Sequence, residues 1–296
     1  IKGDSASLDF TGTAAQVRRN LNAPFAATVS AGLSCLKAAL TSPDIPFNAG
    51  AFRPITVTAP KGSMLNPHHP APVRARMEVC SRAWNSIMKA LSQAVPDKVI
   101  ACGYDTTTSF VLSHLSENGW SVYLEIFGGG FGAANDTDGC DGVDNPLSNC
   151  SNTPIEALDQ DFSFFRVVDY SLLTDSCGAG RHRGGLGFTR SFEALKDNVR
   201  IALYSDRFRR PPAGLFGAGA GSTGSCIVRR GSEIIPLKSK DAFDLKRGDI
   251  VVLSLGGGGG YGNPAERPDT QIQSDLADGI ISTEKARTWS SLGSAK

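Results

Sequence analysis

The chain of 296 residues lacks a field of one charge sign. Thirty Lys and Arg stand against 29 Asp and Glu, for a net charge of +1. That balance removes the electrostatic basis for holding nucleic acid or an anionic membrane surface. The short basic run of Arg207, Arg209 and Arg210 is broken by Phe208 and closed by Pro211 and Pro212, which reads as a solvated loop. No apolar run approaches roughly 18 residues, so no spanning helix is expected. The seven cysteines are odd in number, widely spaced and without a Cys-x-x-Cys pair. A disulfide framework and a zinc-finger spacing are thereby excluded, and free thiols in a reducing, cytoplasmic compartment are expected. Only four histidines are present. A P-loop, a dinucleotide fingerprint and a Gly-x-Ser-x-Gly elbow are all missing. The opening Ile1-Lys2-Gly3-Asp4 has neither a Met nor a signal-peptide pattern, and a fragment or processed piece is expected on that ground.

Glycine is abundant, at 33 residues, and gathers in residues 128–132, 178–187, 214–224 and 256–262. Such clusters mark places of positive φ or close backbone approach. Residues 25–40 carry apolar side chains at helical spacing and stop before Pro43. A second long helix is expected over 73–95, stopped by Pro96, and a third over 269–288. Strand character is found at 7–10, 55–59, 110–112, 120–127, 164–172, 187–195, 199–205, 226–229, 234–237 and 249–255. The pattern predicts an α+β fold, with helices and short strands in the first half and a β-rich second half with glycine loops. A weakly marked boundary near 160 divides residues 1–160 from 161–296.

Five segments carry candidate chemistry. Glu125-Ile-Phe-Gly-Gly-Gly-Phe-Gly-Ala runs from an apolar strand into glycines, which serve a tight strand exit, a close backbone approach or an anion nest. Asp136-Thr-Asp-Gly-Cys-Asp-Gly-Val-Asp is an aspartate-rich run without EF-hand spacing, read chiefly as Asx-turn chemistry. Asn152-Thr-Pro-Ile-Glu has the form of a helix start, with Asn152 or Thr153 as cap and Pro154 in the first turn. Arg181, His182 and Arg183 stand in a glycine frame, where arginine can grip an anion or remain solvated. His68 and His69 sit between prolines and make a poor metal pair.

Taken together and in order, these segments resemble the B-type subunit of the hydantoinase/oxoprolinase family. The resemblance is carried by Asp9-Phe-Thr-Gly-Thr, Asn48-Ala-Gly-Ala-Phe-Arg-Pro-Ile and Pro70-Ala-Pro-Val-Arg-Ala-Arg. It continues in Gly128-Gly-Gly-Phe-Gly-Ala, Asp138-Gly-x-Asp-Gly, Asn152-Thr-Pro-Ile-Glu and Gly178-Ala-Gly-Arg-His-Arg-Gly-Gly-Leu-Gly. It closes with Ser205-Asp-Arg, Gly214-Leu-x-Gly and Gly256-Gly-Gly-Gly-Gly-Tyr-Gly-Asn-Pro. The resemblance implies part of an ATP-dependent cyclic-amide hydrolase of the 5-oxoprolinase or N-methylhydantoinase type. It also implies an A-type partner that binds ATP, a small cyclic amide as substrate, and a large hetero-oligomer. A component of an acetone or acetophenone carboxylase, or a non-catalytic assembly domain, are the alternatives. Phosphorylation of a carbonyl or enolate oxygen is the shared chemistry implied. Family members carry a His- and Asp-containing metal motif that has no counterpart here, so ATP and a divalent metal are expected to bind outside this segment, and the isolated segment is expected to be inactive. No residue is assigned as catalytic or as a metal ligand. Gly128, Gly129, Gly130, Asp138, Asn152, Arg181 and Arg183 fall in matching motifs and are expected to line the substrate cavity or face the partner.

Overall fold

The computed structural model describes residues 1–294. The chain forms two compact units, Ile1–Val99 and the part from Ile100 onward. In the first unit, α1 (Phe25–Leu40) packs against α3 (Arg76–Leu91). Their buried stripes, Ala31, Cys35, Leu36 and Ala39 on one and Cys80, Ala83, Trp84, Ile87 and Met88 on the other, have the three- and four-residue spacing of a helix face. The expected span of 73–95 shortens to α3, because the chain leaves the helix at Ser92 and Pro96 disfavours helical backbone at the residue before it. A parallel pair joins β1 (Ala6–Asp9) to β2 (Ile55–Thr58). Between them the expected loop contains one short helix, α2 (Ala49–Phe52), capped by Asn48, whose side chain accepts from the Gly50 and Ala51 amides.

The second unit is built on two antiparallel sheets. One has the order β10–β7–β3–β4, from β3 (Thr108–Ser116), β4 (Gly119–Phe127), β7 (Val199–Tyr204) and β10 (Lys240–Leu245). The other has the order β5–β6–β11–β8–β9, from β5 (Phe165–Leu172), β6 (Phe188–Ala194), β8 (Ser225–Arg230), β9 (Glu233–Leu237) and β11 (Ile250–Leu255). Their inner faces share one core, in which Phe110 of β3 stacks on Phe192 of β6 with ring centroids 4.6 Å apart. Each such fully buried apolar side chain contributes about 1.5–3 kcal/mol. The short helix α4 (Ile155–Asp161) adds Leu158 to the same core, beside Phe164 and Phe165. The division drawn at 160/161 therefore falls inside this unit, and the units part at 99/100 instead.

The four glycine-rich stretches meet in this unit and hydrogen-bond through their backbones. Gly130 N–H donates to Gly256 O, Gly178 N–H to Gly258 O, and Gly258 N–H to Gly185 O. A Cβ on Gly184 would lie 1.9 Å from Gly258 O, so no larger residue fits there. The expected terminal helix is two helices, α5 (Asp269–Ala277) and α6 (Thr283–Ser294), parted at Gly279, whose φ is +70°. Ile272, Ile281, Ala286 and Trp289 bury their apolar faces against Cys177, Ala179 and Leu186. Among the described residues no helix is long and apolar enough to cross a membrane.

Candidate functional site

Strand alternation explains the first charged cluster. On β4, Tyr123, Glu125 and Phe127 share the inner face; on β6, Phe188, Arg190 and Phe192 do the same. Glu125 and Arg190 are thus carried into the core, where Arg190 Nη1 lies 2.9 Å from Glu125 Oε1, with side chains 0% and 4% exposed. Removing two charges from water is costly unless further hydrogen bonds compensate. Glu125 Oε1 also accepts from the Thr153 amide at 2.7 Å and from Asn152 Nδ2 at 3.1 Å, while the Tyr123 hydroxyl donates to Oε2. Arg190 Nη2 donates to Thr153 O at 3.0 Å, and its guanidinium carbon sits 4.8 Å from the Tyr170 ring centre. Burial outweighs the Thr153, Arg190 and Asn152 interactions and raises the Glu125 carboxyl above its ordinary value. The Tyr170 hydroxyl donates to Asn152 Oδ1, ending a chain of hydrogen bonds at the surface.

Beside this chain lies a cleft of about 370 Å³, lined among others by Gly128, Gly142, Asp144, Cys150, Asn152 and Phe188. A smaller hollow of about 200 Å³ shares Gly142 and Phe188 and adds Asp141, Tyr170 and Leu172. The larger volume lies in the range of small-molecule sites.

A second cluster joins three separate segments. Arg267 donates to both carboxylate oxygens of Asp138, each at 2.8 Å, and to Asp275 Oδ2 at 2.8 and 3.0 Å. Arg183 grips Asp141 with Nη1 and Nη2 at 2.8 and 3.2 Å, and its Nε reaches Asp275 Oδ1 at 3.3 Å. Burial works to raise the Asp138 carboxyl, but the hydrogen bonds and charge of Arg267, with those of Arg183, override it and hold Asp138 below the usual carboxylate range. The same aspartates draw the Arg183 guanidinium upward against its burial.

The sequence-derived candidates thus fall in different places. Gly128 and Asn152 border the cleft. Gly129 and Gly130 spend their amides on Val143 O and Gly256 O, so of the three roles weighed for this loop, close backbone approach describes them. Asp138 and Arg183 belong to the ionic cluster, and all three guanidinium nitrogens of Arg183 are engaged by protein oxygens. Arg181 binds Asn135 through its main-chain and side-chain oxygens, at 2.7 and 2.9 Å. Asn152 does not cap α4, since that helix begins after Pro154 without a side-chain cap. Sequence reading passed over Glu125, Arg190 and Tyr170. A lone charge in an alternating apolar strand was the available signal for the first two. Nothing local in the sequence marks Arg267 or Asp275. Among the described residues no group of three or more His, Cys, Asp or Glu is arranged to hold a metal. Burial pushes the Cys35, Cys177 and Cys226 thiols up to about 12 and, against the pull of Arg76, Cys80 to about 11, which leaves them without nucleophilic thiolate at neutral pH.

The profile of the Hydantoinase B/oxoprolinase family matches residues 1–264. The chain belongs to this family. An uncharacterized protein of Methanocaldococcus jannaschii is 38% identical over 97% of the chain and 50% of its own length. A putative B-type subunit of a D-/L-hydantoinase from Pseudomonas sp. (strain NS671) is 34% identical over 97% of the chain and 49% of its own. Among solved structures, the ATP-dependent caprolactamase of Pseudomonas jessenii superposes with a TM-score of 0.80 at 25% identity, over 93% of this chain and 50% of that one. The hydantoinase B/oxoprolinase chain described here therefore spans about half the length of these relatives.

Proposed function

We propose that this chain is the B-type part of an ATP-dependent cyclic-amide hydrolase, working with an A-type subunit or region that binds ATP. The observation that carries this reading is the match to the B-type subunit of a hydantoinase along 97% of the chain. The fold shared with an ATP-dependent caprolactamase supports the same chemistry. Coupling to ATP suits an unstrained lactam, which resists hydrolysis until its carbonyl is activated. The nucleotide and a divalent metal are proposed to bind outside these residues, because the acidic side chains here are committed elsewhere. Asp138, Asp141 and Asp275 face Arg183 and Arg267, and Glu125 faces Arg190. The cleft beside Asn152 is the surface that this chain contributes to substrate binding.

The test is ADP release by the assembled enzyme, this chain in its parent protein with the ATP-binding partner. 5-Oxoproline, hydantoin and caprolactam are each added or omitted. Lactam-dependent ADP release is expected. Release that responds only to a ketone with bicarbonate would replace the reading with a carboxylase.

A further inference from the structure

The hydrogen-bond polarity of the buried chain is fixed along its whole length. Thr153 N–H and the Arg190 guanidinium can only donate, so Glu125 Oε1, which meets both, is an acceptor. Asn152 must then turn its NH2 toward Glu125 and its carbonyl oxygen away, as the 3.1 Å contact through Nδ2 records. That carbonyl can only accept, so the single hydroxyl proton of Tyr170 is committed to it. What Tyr170 has left is lone pairs. The residue is 44% exposed, and it lines the hollow that shares Gly142 and Phe188 with the larger cleft lined by Asn152.

From this polarity we infer that Tyr170 is a specificity-determining residue, whose oxygen accepts the ring N–H of a small, neutral cyclic amide held in the cleft. The inference rests on the function proposed above and adds a named contact to it. Phe188 and Leu172 supply the apolar wall that the methylene body of such a ring needs. Asp144 offers a second set of acceptors in the cleft, its two oxygens already oriented by the amides of Asn145 and Cys150 at 2.8 and 2.9 Å. Arg190, fully buried behind the Tyr170 ring, disfavours a cationic ligand there. Glu125 and Arg190 are positioning residues in this scheme: they act through Asn152 and touch no substrate.

The experiment compares caprolactam with N-methylcaprolactam, which differ only in the donor. Binding of each to this chain is measured by isothermal titration, for the unaltered protein, Tyr170→Phe and Asn152→Ala. The unaltered protein is expected to bind the N–H lactam about fivefold more tightly, the worth of one neutral hydrogen bond. Tyr170→Phe is expected to abolish that preference. Asn152→Ala, which frees the Tyr170 proton to point either way, is expected to weaken it while leaving the phenol in place. A preference that survives intact in Tyr170→Phe overturns the inference, and so does the absence of lactam binding to the unaltered chain. ADP release by the assembled enzyme judges the proposed function separately, so the two can fail independently.

Discussion

The guanidinium of Arg267 holds Asp138, 129 positions away in the chain, in a two-pronged grip while also bonding Asp275 only eight positions away. One side chain thereby ties the aspartate-rich loop to the first of the carboxy-terminal helices. Its side chain is 1% exposed, so Arg267→Met leaves two carboxylates without their main counter-charge. Breaking a buried pair from one side costs about 3–5 kcal/mol. Urea unfolding of the second unit should show that loss. Arg267→Lys should recover little of it, because an ammonium cannot reproduce the fork. A midpoint unchanged in the Met variant would mean that the cluster is electrostatically neutral to stability.

The same cluster sets an acid limit. Asp138 is held below its ordinary value in the folded chain, so folding favours its ionised form. Its contribution is fully present above the unfolded carboxylate value, about pH 3.9, and is lost as the pH falls through the lower folded value. Stability measured from pH 6 downward should decline on the acid side, and Asp138→Asn should flatten that limb. A decline of identical slope in the variant would assign acid lability to other carboxylates.

Two glycines should respond differently to the same substitution. Gly184 faces Gly258 O so closely that an alanine Cβ would sit 1.9 Å from it, against rigid backbone. Gly184→Ala is expected to cost about 3 kcal/mol or more, or to prevent folding of the second unit. Gly231, in the turn between β8 and β9, has open space around it and a φ of +58°. Gly231→Ala should cost only the left-handed backbone term, about 1–2 kcal/mol. Thermal unfolding of the two variants side by side distinguishes steric exclusion from backbone strain.

Local pattern carried much of the fold. The helical spacing over 25–40 coincides with α1, and the expected strands at 164–172, 187–195 and 249–255 differ from β5, β6 and β11 by no more than a residue at either end. β10 went unread because Lys240, Asp241 and Asp244 give it a polar face, and it is an edge strand recognisable only from its pairing with β7. The split between α5 and α6 turns on Gly279, which composition alone does not separate from an ordinary helical glycine. Of the candidate residues, those chosen for their glycine frames lie at backbone crossings, since a glycine motif reports close approach without naming what approaches. Contacts such as Arg190 with Glu125, 65 positions apart, follow from which two strands face each other across the core, and no spacing in the chain encodes that.

That pair supports a further prediction. Arg190→Met removes the cation while leaving Glu125 buried and charged, and should cost about 3–5 kcal/mol. The Glu125 carboxyl, already raised by burial, should rise further once the opposing Arg190 charge is gone. A second change, Glu125→Gln, removes the stranded charge but keeps an oxygen able to accept from the Thr153 amide and from Asn152 Nδ2. The double variant should therefore be more stable than Arg190→Met alone, by roughly 2 kcal/mol on the cost of leaving a charged group uncompensated. Denaturant midpoints for the two single variants and the double variant close the cycle. If Glu125→Gln adds its own loss on top of Arg190→Met, the two residues are not coupled, and the shared geometry that orients Asn152 toward Tyr170 must come from Thr153 and the surrounding rings instead.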